Sequence, residues 1–291
     1  MSKELRLRIG DIPLALTSGG DGSQFQVEPV YESFRTDDEP EVVLRVHHGA
    51  APQSGFVHNG FDSGGSWSLY RDCERWVIRV RSPALGPEPY LTAVMEPDFR
   101  AGDIYMAVRQ AGADLPRNPL GYPLAQVLMI ALLSLGRGIL IHACGVNDRG
   151  RGFVFSGKSG DGKSTMARLW EGQDGTSILN DDRIILRERG EGLWAYGTPW
   201  HGDAQAYCPG RVPVDAIFFI RPGEDTCGVR LRPQEAVPRL LVRSFPTFWN
   251  AEGMAFTLEF LGRVSHRVPC YELPFLPDKS VLEFVRSMDL N

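Results

Sequence analysis

The sequence predicts a mixed α/β protein with a β-rich N-terminal part, followed by a part in which apolar strands alternate with helices. In the N-terminal part, residues 66–71 and 75–80 alternate polar and apolar side chains on either side of a short turn, which is typical of a β-hairpin. In the second part, the apolar run 152–156 leads through a glycine-rich loop into a helical pattern at 165–170. These two patterns together indicate the fold class.

A loop rich in proline and glycine, residues 115–123, marks the expected domain boundary. We therefore expect a β-rich domain over residues 1–117 and a second domain over residues 118–291. Residues 42–46 add a further predicted strand to the first domain. Frequent Gly and Pro residues separate the strands of this domain, and no cluster within it has the spacing of an active site.

The second domain contains the predicted strands and helices that would form an α/β core. Apolar runs predict the strands, while longer segments bounded by Pro, Gly or Asp predict the helices. The expected strands are 139–146, 152–156, 177–180, 184–187, 193–196, 214–220 and 268–273. The expected helices are 124–135, 165–170, 233–244 and 278–288, the last with Asp278 as its N-cap.

Composition narrows the classes of function. A net charge of −5 over 291 residues forces no broad basic face, which argues against a nucleic-acid partner. Five cysteines without a C-x-x-C pair indicate reduced thiols, not a disulfide frame or a zinc site. The longest apolar run, 127–135, is shorter than the roughly 20 residues that cross a bilayer. With no apolar signal core at the N-terminus, a cytoplasmic protein without a membrane partner is expected.

The loop before the helix at 165–170 fits the pattern G-x-x-x-x-G-K-[ST] of a phosphate-binding P-loop. Glycines let the backbone wrap so that N–H groups point at a phosphate, and the helix N-terminus adds positive charge. Lys163 is expected to reach the β- and γ-phosphates, and the Ser164 hydroxyl to ligate Mg²⁺. The residues expected to bind the nucleotide are Gly157, Lys158, Ser159, Gly160, Asp161, Gly162, Lys163, Ser164 and Thr165. The cofactors predicted by this pattern are ATP and Mg²⁺.

An acidic pair, Asp181 and Asp182, follows the apolar residues of the next predicted strand. One carboxylate can hold Mg²⁺, and the other can orient or deprotonate an attacking hydroxyl. Neighbouring side chains leave a regular strand on opposite faces, so both serve one site only if the strand ends there. The alternative interpretation is a solvated turn.

Five further side chains are candidates for this site. His142 precedes the loop strand by one strand, and it can reach the carboxylates if the two strands are neighbours. Trp200 and His201 lie on a Gly/Pro loop, where they can cover the substrate and contact phosphate or the acceptor. Arg183 and Arg243 are candidates for stabilising a transferring phosphoryl group. Each also has a structural alternative, as a core or surface side chain.

Three features together resemble the catalytic domain of HPr serine kinase/phosphorylase: the strand histidine His142, the loop 157–164 and the pair Asp181–Asp182. The resemblance covers about residues 120–290 and implies a P-loop HPr kinase/PEP carboxykinase-like nucleotide-binding core, which ATP-dependent phosphoenolpyruvate carboxykinases share. The segment 198–202 is similar to a branch of HPr-kinase-like proteins of unassigned role.

The resemblance implies a role for each matching residue. Residues 157–165, including Lys163, would bind the phosphates, and Ser164 and Asp181 would serve Mg²⁺. Asp182 would be the base toward a serine hydroxyl, supported by His142, although the two aspartates can exchange these roles. The basic, glycine-rich signature by which HPr kinases recognise their partner is missing, and the N-terminal half does not resemble their regulatory domain. HPr is therefore not implied as the acceptor.

The leading hypothesis for function is a kinase that transfers the γ-phosphoryl of Mg-ATP to a serine hydroxyl of a protein or peptide, with the β-rich domain helping to recognise that acceptor. Free serine is an alternative acceptor. A non-catalytic ATP-binding switch or scaffold would use the same loop without needing Asp182 or His142. A carboxykinase-like lyase is disfavoured by the short chain and by the lack of a second Lys, His and Arg cluster. The resemblance is also compatible with a homo-oligomer.

Overall fold

The computed structural model describes residues 4–19, 24–52, 58–108 and 117–290. Within these residues the protein is a mixed α/β fold with two eight-stranded sheets and five α-helices. The chain divides into two compact units, Met1–Leu132 with Phe248–Ala251, and Leu133–Thr247 with Glu252–Asn291. The roles assigned above to the two predicted domains stay predictions.

The sheet of the first unit has the strand order β1-β2-β3-β8-β7-β6-β5-β4. Successive side chains along its strands point to opposite faces of the sheet. One face is buried and carries residues such as Leu44, Ile78 and Ile104, and the other face is more polar. The hairpin predicted for residues 66–80 is confirmed as the antiparallel pair β5–β6. The strands are β1 (Glu4–Ile9), β2 (Ile12–Ser18), β3 (Val42–His48), β4 (His58–Asp62), β5 (Trp67–Asp72), β6 (Arg75–Ser82), β7 (Gly86–Met95) and β8 (Ala101–Met106).

From residue 124 onward, helices and strands alternate as the sequence predicts. They are α1 (Leu124–Ser134), β9 (Ile139–Asp148), β10 (Arg151–Ser156), α2 (Lys163–Trp170), β11 (Thr176–Asn180), β12 (Arg183–Arg189), β13 (Gly192–Tyr196), β14 (Arg211–Pro222), β15 (Val229–Leu231), α3 (Pro233–Leu241), α4 (Ala251–Arg267), β16 (Cys270–Phe275) and α5 (Ser280–Ser287). None of the helices in the described part of the chain has the length and apolar composition needed to cross a membrane.

Two long strands, β9 and β14, organise the second sheet. The first half of β9 pairs with β12, and its second half pairs with β10 on one side and β11 on the other. The start of β14 pairs with β13, and its remainder lies parallel to both β10 and β16. Because β10, β14 and β16 run parallel, their C-terminal ends meet at one edge of the sheet. The glycine-rich loop leaves β10 at that edge.

Apolar side chains cover both faces of this sheet. Phe153 and Phe155 of β10 pack with Trp170 of α2, while the intervening Val154 packs in a second cluster with residues of α3 and α4, such as Leu240. Because neighbouring side chains of a strand point to opposite faces, β10 contributes to the apolar clusters on both faces of the sheet. This packing anchors α2, through Trp170 at its C-terminal end, against the sheet.

Several elements differ from the predicted ones. Helix α3 ends at Leu241 and not at Ser244, because the chain beyond it forms backbone hydrogen bonds with β9. The N-cap position of α5 is Lys279, although the Asp278 carboxylate does accept the Ser280 N–H at 2.8 Å. The 17-residue helix α4 was not among the predicted elements.

Candidate active site

The glycine-rich loop between β10 and α2 has a conformation that depends on its glycines. Gly160 and Gly162 have φ angles of +87° and +104°, in the left-handed region that favours glycine. A Cβ at Gly162 would lie 2.8 Å from Cζ of Phe275, and a Cβ at Gly157 would lie 2.7 Å from Cβ of Asp161. The loop therefore turns tightly and delivers the chain directly into α2 at Lys163.

Lys163 is buried, and its ammonium group lies against the start of the loop. Its Nζ donates to the carbonyl oxygens of Gly157 and Lys158, both at 3.1 Å. Burial lowers the pKa of Lys163, while the negative charges of Asp182 and Asp161 act in the opposite direction. A positive charge is thus held between the loop and the acidic pair.

The acidic pair lies where the chain passes from β11 to β12. Both strands pair with the same edge of β9: Asn180 is opposite Gly145, and Arg183 is opposite His142. Asp181 and Asp182 form the interruption between them. Their side chains are therefore not required to point to opposite faces of the sheet, as neighbours within a strand are. The predicted end of the strand at this point is confirmed.

Asn180 holds this interruption in place, and sequence reasoning assigned it no role. It is fully buried, and its Oδ1 accepts the backbone N–H groups of Asp182 at 2.8 Å and Arg183 at 2.7 Å. Its Nδ2 donates to the carbonyl of Thr198 at 2.8 Å. An asparagine at the end of an apolar strand, directly before a turn, is the local signal that could have identified it.

Replacing Asn180 by alanine is expected to destabilise the protein, because several backbone groups would lose their partner. An unsatisfied buried polar group costs about 1–3 kcal/mol. Asn147→Ala is the matched control, because the side-chain Oδ1 of Asn147 accepts the N–H of Gly150, which lies in an exposed turn. Urea unfolding of both variants measures the difference, and equal midpoints would contradict the role of Asn180.

Asp182 is held between two basic side chains. Its Oδ1 lies 2.7 Å from Nε2 of His142, and its Oδ2 accepts from Nη1 of Arg183 at 2.6 Å. Burial raises the pKa of Asp182, but the hydrogen bond with His142 and the positive charges of Arg183 and Lys163 outweigh it, so the pKa lies below its usual value. The side chain remains 24 % exposed, so an ionised carboxylate is accessible at this edge.

Asp181 has different surroundings from its neighbour. It is only 1 % exposed, and its two carboxylate oxygens accept the backbone N–H groups of Gly202 at 2.7 Å and Ala204 at 2.8 Å. Asp181 therefore fixes the loop that carries Trp200 and His201. These backbone hydrogen bonds hold the loop segment that follows Trp200 and His201 next to the acidic pair.

The remaining candidates occupy distinct positions around this edge. His201 is exposed and stacks on Tyr207, with ring centroids 5.4 Å apart, and Trp200 is half-buried. The Arg183 guanidinium carbon lies 4.7 Å from the ring centroid of Phe245, a cation–π contact that fixes its orientation toward Asp182.

Arg243 is brought to the site by the segment after α3. Its backbone carbonyl accepts the N–H of His142 at 2.7 Å, and its Nη1 donates to the carbonyl of Arg239 at 3.0 Å. Burial lowers the pKa of Arg243, and the charge of Asp161 opposes that effect. Its Nε is buried with no hydrogen-bond partner, so part of this guanidinium has unused donor capacity.

The polar groups of this edge fit a magnesium ion that is bound together with a phosphate chain. No cluster of three or more His, Cys, Asp or Glu side chains suited to a metal occurs within the described ranges. Mg²⁺ usually takes only one or two carboxylates from the protein and completes its shell with phosphate oxygens and water. The Ser164 hydroxyl at the start of α2 and one carboxylate of the acidic pair would supply that number of protein ligands.

Comparisons with known proteins give a distant structural similarity and no match at the level of sequence families. No family model matches the chain, and no curated protein sequence matches it. Among solved structures, the HPr(Ser) kinase/phosphatase from Coxiella burnetii is similar, with 14% identity and a TM-score of 0.30. The similarity covers 50% of this chain and 95% of that one. It is a distant likeness of fold.

Proposed function

We propose that this protein is a kinase that transfers the γ-phosphoryl group of Mg-ATP to a hydroxyl group, that of a serine in a protein or peptide. One observation carries the proposal. The Asp182 carboxylate, held by His142 and Arg183, interacts electrostatically with Lys163, which follows the glycine-rich loop. Transfer to a hydroxyl needs this combination of a phosphate-binding lysine and a nearby base.

The loop and α2 would bind the phosphate chain. Backbone N–H groups of residues 157–163 and the N-terminus of α2 supply donors and partial positive charge, and Lys163 supplies a full charge. Ser164 and Asp181 would hold Mg²⁺, which neutralises negative charge on the β- and γ-phosphates when bound. Asp181 retains acceptor capacity for this role, because each carboxylate oxygen has two lone pairs.

Asp182 would act as the base. The serine Oγ forms a bond to the γ-phosphorus, the bond from that phosphorus to the β–γ bridging oxygen breaks, ADP leaves, and the serine proton passes to Asp182. His142 orients the carboxylate through its 2.7 Å contact. Arg183 and Arg243 supply positive charge for the oxygens of the transferring group. Positioning and charge would therefore provide most of the catalysis.

Turnover of γ-labelled ATP with Mg²⁺ tests the proposal. The acceptors are water, free serine and a set of serine-containing peptides. The wild type is compared with Asp182→Asn, and Asp174→Asn serves as the charge-matched control at an exposed turn. We expect label on a peptide serine with the wild type and the control. Label on free serine alone would identify a small-molecule kinase. Tight ATP binding without transfer to any acceptor would favour a nucleotide-binding switch instead.

A further inference from the structure

The glycine-rich loop contains one acidic side chain, Asp161, and it folds back onto the loop itself. Its Oδ2 accepts the backbone N–H of Lys158 at 2.5 Å. A Cβ at Gly157 would lie 2.7 Å from Asp161 Cβ and 3.2 Å from its Oδ2, so the carboxylate occupies the space beside the start of the loop. A backbone N–H that would serve a phosphate oxygen therefore already has an anionic acceptor.

The positive charges of Lys163 and Arg243 both interact electrostatically with the carboxylate of Asp161. Lys163 meanwhile donates to carbonyl oxygens at the start of the loop, and the Nε of Arg243 has no partner. The carboxylate thus lies where backbone donors and positive side chains would meet an anionic ligand.

We propose that Asp161 is an internal competitor for phosphate, whose carboxylate must be displaced from the Lys158 N–H before a phosphate chain can bind. This inference rests on the proposed nucleotide site and assigns to Asp161 control over its affinity. Binding would exchange one charged hydrogen bond for another, so the net gain for the ligand is smaller than in a loop without an acid. Any negative charge that remains nearby also repels the phosphates.

The competition depends on both the charge and the acceptor atom of Asp161, so two variants separate them. Asp161→Ala removes both and keeps the Cβ, while Asp161→Asn keeps an amide oxygen that can still accept the Lys158 N–H. We expect the dissociation constant for ATP to fall about tenfold or more in Asp161→Ala, because the Lys158 N–H no longer has a charged acceptor that a phosphate oxygen must displace. The Asp161→Asn variant should show a smaller gain.

Isothermal titration calorimetry with Mg-ATP, inorganic tripolyphosphate and adenosine provides the test on the full chain. The gain should appear with ATP and tripolyphosphate and be absent with adenosine, which has no phosphate to compete. Asp174→Asn removes one negative charge from the turn beyond the other end of α2, and its affinity should equal that of the wild type. Matching melting temperatures would show that the variants are folded.

The outcomes separate this inference from the proposed function. If the wild type binds ATP and both Asp161 variants bind it equally or more weakly, the competition is overturned while the nucleotide site stands. If neither the wild type nor any variant binds ATP or tripolyphosphate, the proposed function fails together with the inference. Binding by the Asp161 variants alone would support both.

Discussion

Replacing Lys163 by alanine is expected to reduce ATP affinity at least ~100-fold and to abolish turnover. In the wild type, the buried ammonium group of Lys163 would leave the carbonyl oxygens of Gly157 and Lys158 and bind phosphate oxygens when ATP binds. Losing two such charged contacts, each contributing roughly 1.5–3 kcal/mol, accounts for that magnitude. Calorimetry with Mg-ATP measures the affinity directly.

The control for this prediction is Lys279→Ala, which removes the same charge from an exposed position before α5. It should bind ATP like the wild type. Because Lys163 is buried, the melting temperature of its variant must be compared as well, and Lys163→Met provides a second variant that preserves most of the side-chain volume. Unchanged ATP affinity in folded Lys163 variants would place the nucleotide elsewhere.

Replacing Asp182 by asparagine is expected to preserve ATP binding and to slow phosphoryl transfer at least 100-fold. The amide has nearly the same shape and can still accept from Arg183, but it cannot take the serine proton. General-base contributions are about 10²–10⁴-fold, which sets the expected range. Single-turnover assays with γ-labelled ATP measure transfer, and calorimetry measures binding in the same variant. Equal transfer rates in the variant and the wild type would show that the base is another residue.

The Asp181→Asn variant distinguishes the two carboxylates. Both oxygens of Asp181 accept backbone N–H groups, so an amide nitrogen at one of these positions would face the N–H of Gly202 or Ala204. We expect this variant to lose thermal stability as well as activity, whereas Asp182→Asn should lose mainly activity. A pure rate effect in Asp181→Asn would reverse the roles proposed for the pair.

The pH dependence follows from the lowered pKa of Asp182. In the proposed mechanism the base is the ionised carboxylate of Asp182, which is the main form above its pKa. Because that pKa lies below the usual aspartate value of about 3.9, protonation of Asp182 should not reduce the rate between pH 7 and pH 5. An acid limb within that window would have to come from another group.

Local sequence patterns predicted the elements whose signals lie within a few neighbouring residues. The strand, glycine-rich loop and helix from Arg151 to Trp170 follow from an apolar run, glycines that allow positive φ and an amphipathic segment. The end of β11 before Asp181 was predicted for the same reason. The α4 helix was missed. The end of α3 was placed too late, because backbone pairing of the following segment with β9 overrides local propensity there.

The residue order alone is enough to identify the chemical groups that are available: a glycine-rich loop with Lys163, an acidic pair and a set of basic side chains. Which of these groups come into contact depends on how the strands pair. The 2.7 Å contact between His142 and Asp182 depends on the register of β9 with β12, across 40 residues of chain. The position of Arg243 likewise depends on backbone pairing with β9, which periodicity and spacing do not encode. The turn of Asp161 onto the Lys158 N–H lies within one loop, and it depends on the close packing of that loop.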